Sequence, residues 1–146
     1  MCALRSKVDW LMKQYRKFQP FQIRWKEVLK HGDKPYLYRW TFIAFGFSIR
    51  IHHWIGQDVG PHLHDHASDF ISFLFRGSYT NHTPHGSRHI KAPFIWYSKA
   101  TDKHRLEIGP KGAWTVLFCG QPYRKWGFWV NDHLWRPLRY FHKYGD

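Results

Sequence analysis

Cysteine is scarce in this chain of 146 residues, which contains only Cys2 and Cys119. The two lie far apart, so they form neither a disulfide framework nor a Cys-x-x-Cys zinc motif. Because disulfide-rich domains belong to oxidising compartments, this usage fits a reducing one. The sequence therefore argues against the small disulfide-stabilised classes and predicts a cytoplasmic protein.

Long apolar runs are missing as well. Residues 1–13 lack the uninterrupted apolar stretch of a signal peptide, and no run approaches the length of a membrane span. We therefore expect no membrane partner.

Acidic residues are few, with 10 Asp and Glu against 23 Lys and Arg, for a formal net charge of +13. Residues 1–39 hold 10 of those basic side chains and only three acidic ones. A basic segment suggests nucleic acid or another acidic partner, although solvated helix faces are the more ordinary explanation. Nucleic-acid binding is thus kept as an alternative.

Aromatic side chains are abundant, at 20% of the residues, and 43% of the residues are hydrophobic. This composition predicts a folded core of large rings, and the length fits one domain over residues 1–146. Apolar side chains at helical spacing predict a pair of α-helices within residues 1–34. Their stripes are Val8, Leu11, Met12 and Tyr15 in the first helix, and Phe21, Trp25, Val28 and Leu29 in the second, which ends at Gly32.

From residue 36 onward the apolar period changes from helical spacing to two, which is typical of strands. No helices alternate with these strands, which argues against a parallel βαβ fold, and eight strands are the number in a jelly roll. The sequence therefore predicts an all-β jelly-roll barrel over residues 36–130, with a C-terminal tail over 131–146 packed on it. The predicted strands are 36–45, 47–55, 69–75, 78–82, 89–97, 103–108, 113–119 and 126–130, with turns at Arg76-Gly77 and at 109–112.

The predicted strand 69–75 is apolar, or nearly so, on both of its faces. A barrel strand with an apolar outer face has to be covered. The N-terminal helices or a second subunit in a homodimer are the available covers.

Three histidines, His62, His64 and His66, fall on alternate positions. Residues i, i+2 and i+4 of an extended segment share a face, so these imidazoles could project into one cavity. Neutral imidazole is the commonest metal ligand, and a His-x-His pair can offer two nitrogens to one ion.

The register of this pair resembles the first motif of the cupin superfamily, in which His-x-His is followed by a glutamate and, after a hairpin strand, a glycine. His64, His66 and Gly77 match the motif, whereas Phe70 stands where the glutamate is expected. A competing register beginning at His62 would offer Asp69 as the carboxylate. In an extended chain, however, Asp69 would point to the opposite side from the histidines, whereas Phe70 would share their side. The resemblance implies a cupin-type double-stranded β-helix.

The second cupin motif is poorly matched, and only His104 stands at its expected place. The resemblance then implies a three-histidine metal site of His64, His66 and His104, similar to cysteine-dioxygenase-like cupins that use iron. His62 is a candidate additional ligand. Imidazoles alone do not select the metal, so zinc, nickel, manganese and copper stay open beside iron. The competing interpretation is a degenerate cupin whose histidines hydrogen-bond inside an empty barrel.

Side-chain parity also predicts the lining of the pocket: Phe70, Ser72 and Leu74, Tyr79 on the next strand, and His53 if residues 47, 49 and 51 face inward. Asp65 and Glu107 lie close to the predicted ligands in the chain, but their parity points them away from the cavity.

The chain is similar, further, to small bacterial and phage cupins with a His-Asp-His turn, an Arg-Gly-x-Tyr hairpin and a Trp-Gly-Phe strand. The function expected first is a metal-dependent, iron-type oxygenase acting on a small, anionic or chelating molecule. The alternative is a non-catalytic cupin-fold binding module, phage-associated, that holds an acidic partner through its basic N-terminal helices.

Overall fold

The computed structural model describes residues 21–144, which form nine strands and one helix. These are β1 (Phe21–His31), β2 (Lys34–Ala44), β3 (Phe47–Trp54), β4 (Phe70–Thr83), β5 (Gly86–Lys91), β6 (Phe94–Ser98), β7 (Arg105–Cys119), β8 (Phe128–Val130), β9 (His133–Trp135) and α1 (Pro137–Tyr144). No helix in this part of the chain is long and apolar enough to cross a membrane.

All strand pairs are antiparallel, and the main sheet runs in the order β1-β2-β3-β7-β4-β5. β6 pairs with the first half of β4, and β5 pairs with its second half. β8 and β9 form a separate hairpin. The all-β prediction is therefore confirmed for the described residues.

The second predicted N-terminal helix is wrong, because residues 21–31 form β1, which pairs with β2. Phe21, Ile23 and Trp25 alternate as in a strand, but a bulge between Arg24 and Glu27 then shifts the register. Because the bulge inserts extra residues into the strand, the apolar side chains before and after it are separated by intervals that also fit a helix. The first predicted helix lies outside the described residues.

Two predicted turns are also wrong, because each lies inside a long strand. The predicted strands 69–75 and 78–82 are both part of β4, and 103–108 and 113–119 are both part of β7. β4 and β7 pair on both sides of Gly77, and the pairing register shifts at this point. The glycines therefore mark a bulge where two backbones approach closely, rather than hairpin ends.

The other boundaries differ less from the predicted ones. Residues 89–97 are divided into β5 and β6 at Ala92-Pro93, since proline has no N–H for the ladder. The last predicted strand shortens to β8. In the C-terminal tail, α1 places Tyr140 in the core, where its ring stacks on Phe128 with centroids 3.8 Å apart.

The two faces of the sheet have the reverse of the usual polarity, with polar side chains facing inward on β3 and apolar side chains facing outward. On β3 the inward residues are Ser48, Arg50, His52 and Trp54, whereas Phe47 and its apolar neighbours at 49 and 51 are exposed. The outward side is apolar across five strands, and two rows of paired residues define what we call the outer apolar face. The rows are Phe42, Ile49, Phe118, Ile71 and Tyr97, and Trp40, Ile51, Val116, Phe73 and Ile95.

Gly77→Ala tests the close approach of β4 and β7. Gly77 has φ 85°, and a Cβ there would overlap the carbonyl oxygen of Gly112. Gly32→Ala is the matched control, because Gly32 also has positive φ (55°, in the left-handed region) but has open space around it. The control should lower the free energy of unfolding by about 1–2 kcal/mol, because of backbone strain. Gly77→Ala should lower it by a further 1–3 kcal/mol, roughly, because of the overlap. Urea denaturation measures both; equal losses would contradict this account.

Candidate metal centre

Three histidine side chains converge at the wall of a cavity. His64 and His66 lie in the segment between β3 and β4, and His104 lies directly before β7. The backbones of His64 and His104 exchange both hydrogen bonds, at 2.8 and 2.9 Å. One ring nitrogen from each of the three histidines lies within 4.8 Å of the others. The backbone pairing therefore fixes the spacing of the imidazoles.

Hydrogen bonding presents a lone pair of His104 toward the other two rings. Its Nδ1 lies 3.1 Å from Asn81 Oδ1, which can only accept, so Nδ1 carries the hydrogen. The other ring nitrogen, Nε2, then has a free lone pair and lies 2.8 Å from Nε2 of His66. Two nitrogens bound to one ion at about 2.1 Å and at right angles would lie about 3 Å apart. The spacing of His66 and His104 thus fits two ligands of one metal ion.

Burial keeps the two inner imidazoles neutral. It lowers the pKa of His66 well below its usual value, and the neighbouring His64 and His104 lower it further. Burial and His64 likewise lower the pKa of His104. Neutral imidazole is the form that binds metals.

The ring of His64 has its outer nitrogen directed at a carboxylate. Its Nδ1 is buried, makes no hydrogen bond and lies 3.5 Å from Asp58 Oδ2. Asp58 itself accepts from the backbone N–H groups of Val59 and Leu106. Such a carboxylate behind an imidazole is a common arrangement around bound metals.

Asp65 turns away from the three histidines, as its parity predicted, and holds their segment in place. The carboxylate is completely buried and accepts from Gly127 N–H at 2.9 Å, Trp129 Nε1 at 3.1 Å and Arg124 Nη1 at 2.9 Å. Arg124 also donates to the carbonyl oxygen of His66. Glu107 faces away too, with His82 Nε2 2.8 Å from its carboxylate.

The cavity next to the histidines has a volume of about 210 Å³. Apolar side chains, among them Phe70, Trp96 and Leu106, form much of its lining. Arg39, Arg50, His52 and Thr115 contribute polar groups from the strands β2, β3 and β7. The cavity therefore combines an apolar interior with separate polar walls.

The predicted pocket residues divide into two groups. Phe70, Ser72 and Tyr79 line the cavity. Leu74 does not, because it is fully buried in the hydrophobic core. His53 does not either, since it lies on the outward side of β3 and stacks on Trp114 with centroids 4.0 Å apart.

The structure places two further candidates outside the histidine cluster. His62 Nδ1 lies 3.0 Å from the hydroxyl of Tyr140, because residues 57–63 do not form a strand and the alternation of residues 64–66 does not extend back to His62. Asp69, the carboxylate of the competing register, accepts from Tyr97 and Tyr123 at 2.7 Å each. These contacts hold Asp69 on the outside of the barrel.

Sequence reasoning missed four residues of this region: Asn81, Asp58, Arg50 and His52. Asn81 could have been found, because it shares the parity of Tyr79 on β4. Arg50 and His52 were missed because the apolar residues of β3 were expected to face inward. No sequence signal identified Asp58.

Comparisons with known proteins define the class to which this fold belongs. No family model matches the chain, and no curated protein matches it in sequence. Among solved structures, an RmlC-like cupin from Shewanella frigidimarina is similar with a TM-score of 0.54 and 14% identity, covering 73% of this chain and 96% of that one. The described residues thus adopt the cupin fold, the double-stranded β-helix that the sequence resemblance implied.

Two enzymes of known structure are similar at the same level. The crystal structure of Fe(II) HppE has a TM-score of 0.53 and 10% identity, and covers 68% of this chain. DMSP lyases have a TM-score of 0.55 and 12% identity, and the alignment covers 72% of this chain. This chain spans only 56% of the HppE chain and 61% of the lyase chain. At such identities the similarity shows the fold alone.

Asp65→Asn tests the buried carboxylate that holds the histidine segment. The variant loses the charge opposite Arg124, and we expect a loss of about 3 kcal/mol of stability, as for other broken buried ion pairs. Glu107→Gln is the control, because Glu107 is 57% exposed and its loss should have little effect. Chemical denaturation of both variants gives the comparison, and a stable Asp65→Asn protein would contradict the assigned role.

Proposed function

We propose that this protein is a metal-binding cupin in which His64, His66 and His104 hold one divalent transition metal. The observation that carries the proposal is the convergence of their ring nitrogens within 4.8 Å at the wall of a cavity. Iron is the metal proposed first, and zinc, nickel, manganese and copper suit imidazole ligands as well.

The residues around the three histidines fit a metal site. Asn81 fixes the tautomer of His104, and Asp58 lies behind His64, as supporting groups do around bound metals. Three neutral ligands would leave the positive charge of the ion uncompensated and open for an anionic or chelating molecule. When bound, iron would supply Lewis acidity and the capacity for dioxygen chemistry.

A metal-dependent oxygenase acting on a small molecule is the enzyme function we propose for this cavity. Phe70, Trp96 and Leu106 would surround the substrate with apolar surface and exclude water from it. The fold is compatible with this chemistry, since HppE has been solved with Fe(II), and also with lyase chemistry, since DMSP lyases share it. The oxygenase assignment therefore depends on which metal the site holds.

Elemental analysis of untagged protein tests the site. We expect close to one equivalent of a transition metal in the wild type and little in His64→Ala or His104→Ala, because each removes a ligand. His62→Ala should keep its metal, since His62 bonds to Tyr140 instead. Removing the metal should lower the melting temperature, because a ligand at about 100 times its dissociation constant stabilises a fold by roughly 2.7 kcal/mol.

Two outcomes, one of elemental analysis and one of that analysis combined with an assay for dioxygen consumption, would contradict these proposals. Equal metal content in the wild type and both ligand variants would exclude the three-histidine site. A site filled only with zinc, with no activity toward dioxygen when iron is supplied, would refute the oxygenase and leave a metal-binding module.

A further inference from the structure

Arg50 lacks an acidic partner in the described part of the chain. It lies on the inward side of β3, and its Nε donates to the hydroxyl of Ser48 at 3.2 Å. Arg39, the other arginine at the cavity, is paired instead with Glu27 at 2.9 Å. No ion pair within residues 21–144 involves Arg50. Its Nη groups therefore remain available at the cavity.

Neighbouring polar groups on the same wall are also unpaired. His52 is 8% exposed and Thr115 is 3% exposed, and neither His52 Nε2 nor the Thr115 hydroxyl has a hydrogen-bond partner. The two residues are directly paired across β3 and β7. An unsatisfied buried polar group costs about 1–3 kcal/mol, so this wall is suited to a ligand that accepts hydrogen bonds.

No acidic residue is among the described residues that line the cavity. Burial lowers the pKa of His52 to about 3, so the ring is neutral and can donate from one nitrogen. Of the two arginines that line the cavity, Arg50 is the one without an acidic partner among the described residues, and its cross-strand neighbour Leu117 is apolar. A carboxylate matches this arrangement, because a guanidinium can bind its two oxygens with paired N–H groups.

We propose that the substrate is a small carboxylate whose anionic group binds Arg50, with His52 and Thr115 completing the site. This inference rests on the proposed function of the same cavity, since the rest of the molecule would extend toward the three histidines. A volume of about 210 Å³ restricts the ligand to a small molecule. Inorganic phosphate has related chemistry and is an arm of the test.

Calorimetric titration with benzoate and its neutral analogue benzamide tests the anion site, on protein as purified and after metal chelation. We expect benzoate to bind at least tenfold more tightly than benzamide in both forms, and more tightly than phosphate. Arg50→Met should weaken benzoate binding at least tenfold, as loss of a charge-assisted bidentate contact would. Arg88→Met, on the exposed side of β5, removes the same charge and should change nothing.

Arg50→Lys keeps the charge without the paired donors and should bind benzoate with intermediate affinity, which covers the case in which Arg50→Met does not fold. Equal affinities for benzoate and benzamide would overturn the proposal, as would unchanged benzoate binding in the folded Arg50 variants. Preferred phosphate binding would overturn the choice of a carboxylate. Metal content in Arg50→Met should equal that of the wild type, so failure of the anion site is distinguishable from failure of the metal site.

A different observation concerns the outer apolar face. Its ten side chains form two uninterrupted rows over β2, β3, β7, β4 and β6, and none is charged. Eight of the ten are between 37% and 65% exposed. At about 150–250 Å² per large side chain, the face leaves roughly 700 Å² of apolar surface in contact with water. Monomers rarely expose that much in one patch.

The area matches one side of a standard protein–protein interface, which is about 800 Å². A helix is about 10 Å wide, whereas five strands span about 19 Å, so a predicted helix before Phe21 would cover only half of the face. A two-fold related copy presents a face of the same size and the same lack of charge. We infer that a second copy of this chain covers the outer apolar face in a homodimer.

Light scattering on the 146-residue chain tests the dimer. The wild type should have twice the chain mass of 17.8 kDa, and Phe118→Glu or Ile71→Glu should be monomeric. Leu138→Glu is the control, because Leu138 is 87% exposed but lies on α1, away from the face. Circular dichroism confirms that each variant is folded. A monomeric wild type, or dimers in folded Phe118→Glu and Ile71→Glu, would overturn the inference.

Discussion

The arrangement of the cavity depends on the buried Asp65 carboxylate. The segment between β3 and β4 forms no strand of its own, yet it carries two of the three converging histidines. Asp65 ties this segment to Gly127 and Trp129 next to and within β8, and to Arg124. Because the central residue of His-Asp-His points outward to these donors, the two flanking imidazoles are directed inward. A buried charge thus acts together with the backbone pairing of His64 and His104 to organise this region.

The polarity of the barrel is reversed around β3. Arg50 and His52 face the cavity, while apolar rings face outward, although burying polar groups is costly unless they gain partners. A globular domain evolved only for stability would place these residues the other way. The same reversal accounts for both unusual surfaces of this molecule, the polar wall inside and the uncharged face outside. Each would be explained by the occupant that we propose for it, a small anion inside the cavity and a second copy of the chain on the outer apolar face.

Much of the fold could be predicted from local pattern. Period-two alternation and the scarcity of helix-forming stretches after residue 36 predicted an all-β domain, and His-x-His spacing selected His64 and His66. The errors arose where two patterns overlapped. In β1 a bulge shifted the strand residues into a spacing that also fits a helix. Gly77 was predicted to form a turn, but its lack of a side chain instead allows the long strands β4 and β7 to approach each other. Bulges are set by pairing with a distant strand, so no local window contains the information.

The sequence by itself determined the strand-rich character of the chain, the histidine pair, and the absence of a carboxylate at Phe70. Those features depend on residue type and short spacing, which the covalent chain already contains. Only the tertiary structure decided that His104 meets His64, since this contact depends on long-range backbone pairing. The inward face of β3 was decided in the same way, because both of its faces carry large side chains and the register with β2 and β7 determines which face encloses the cavity.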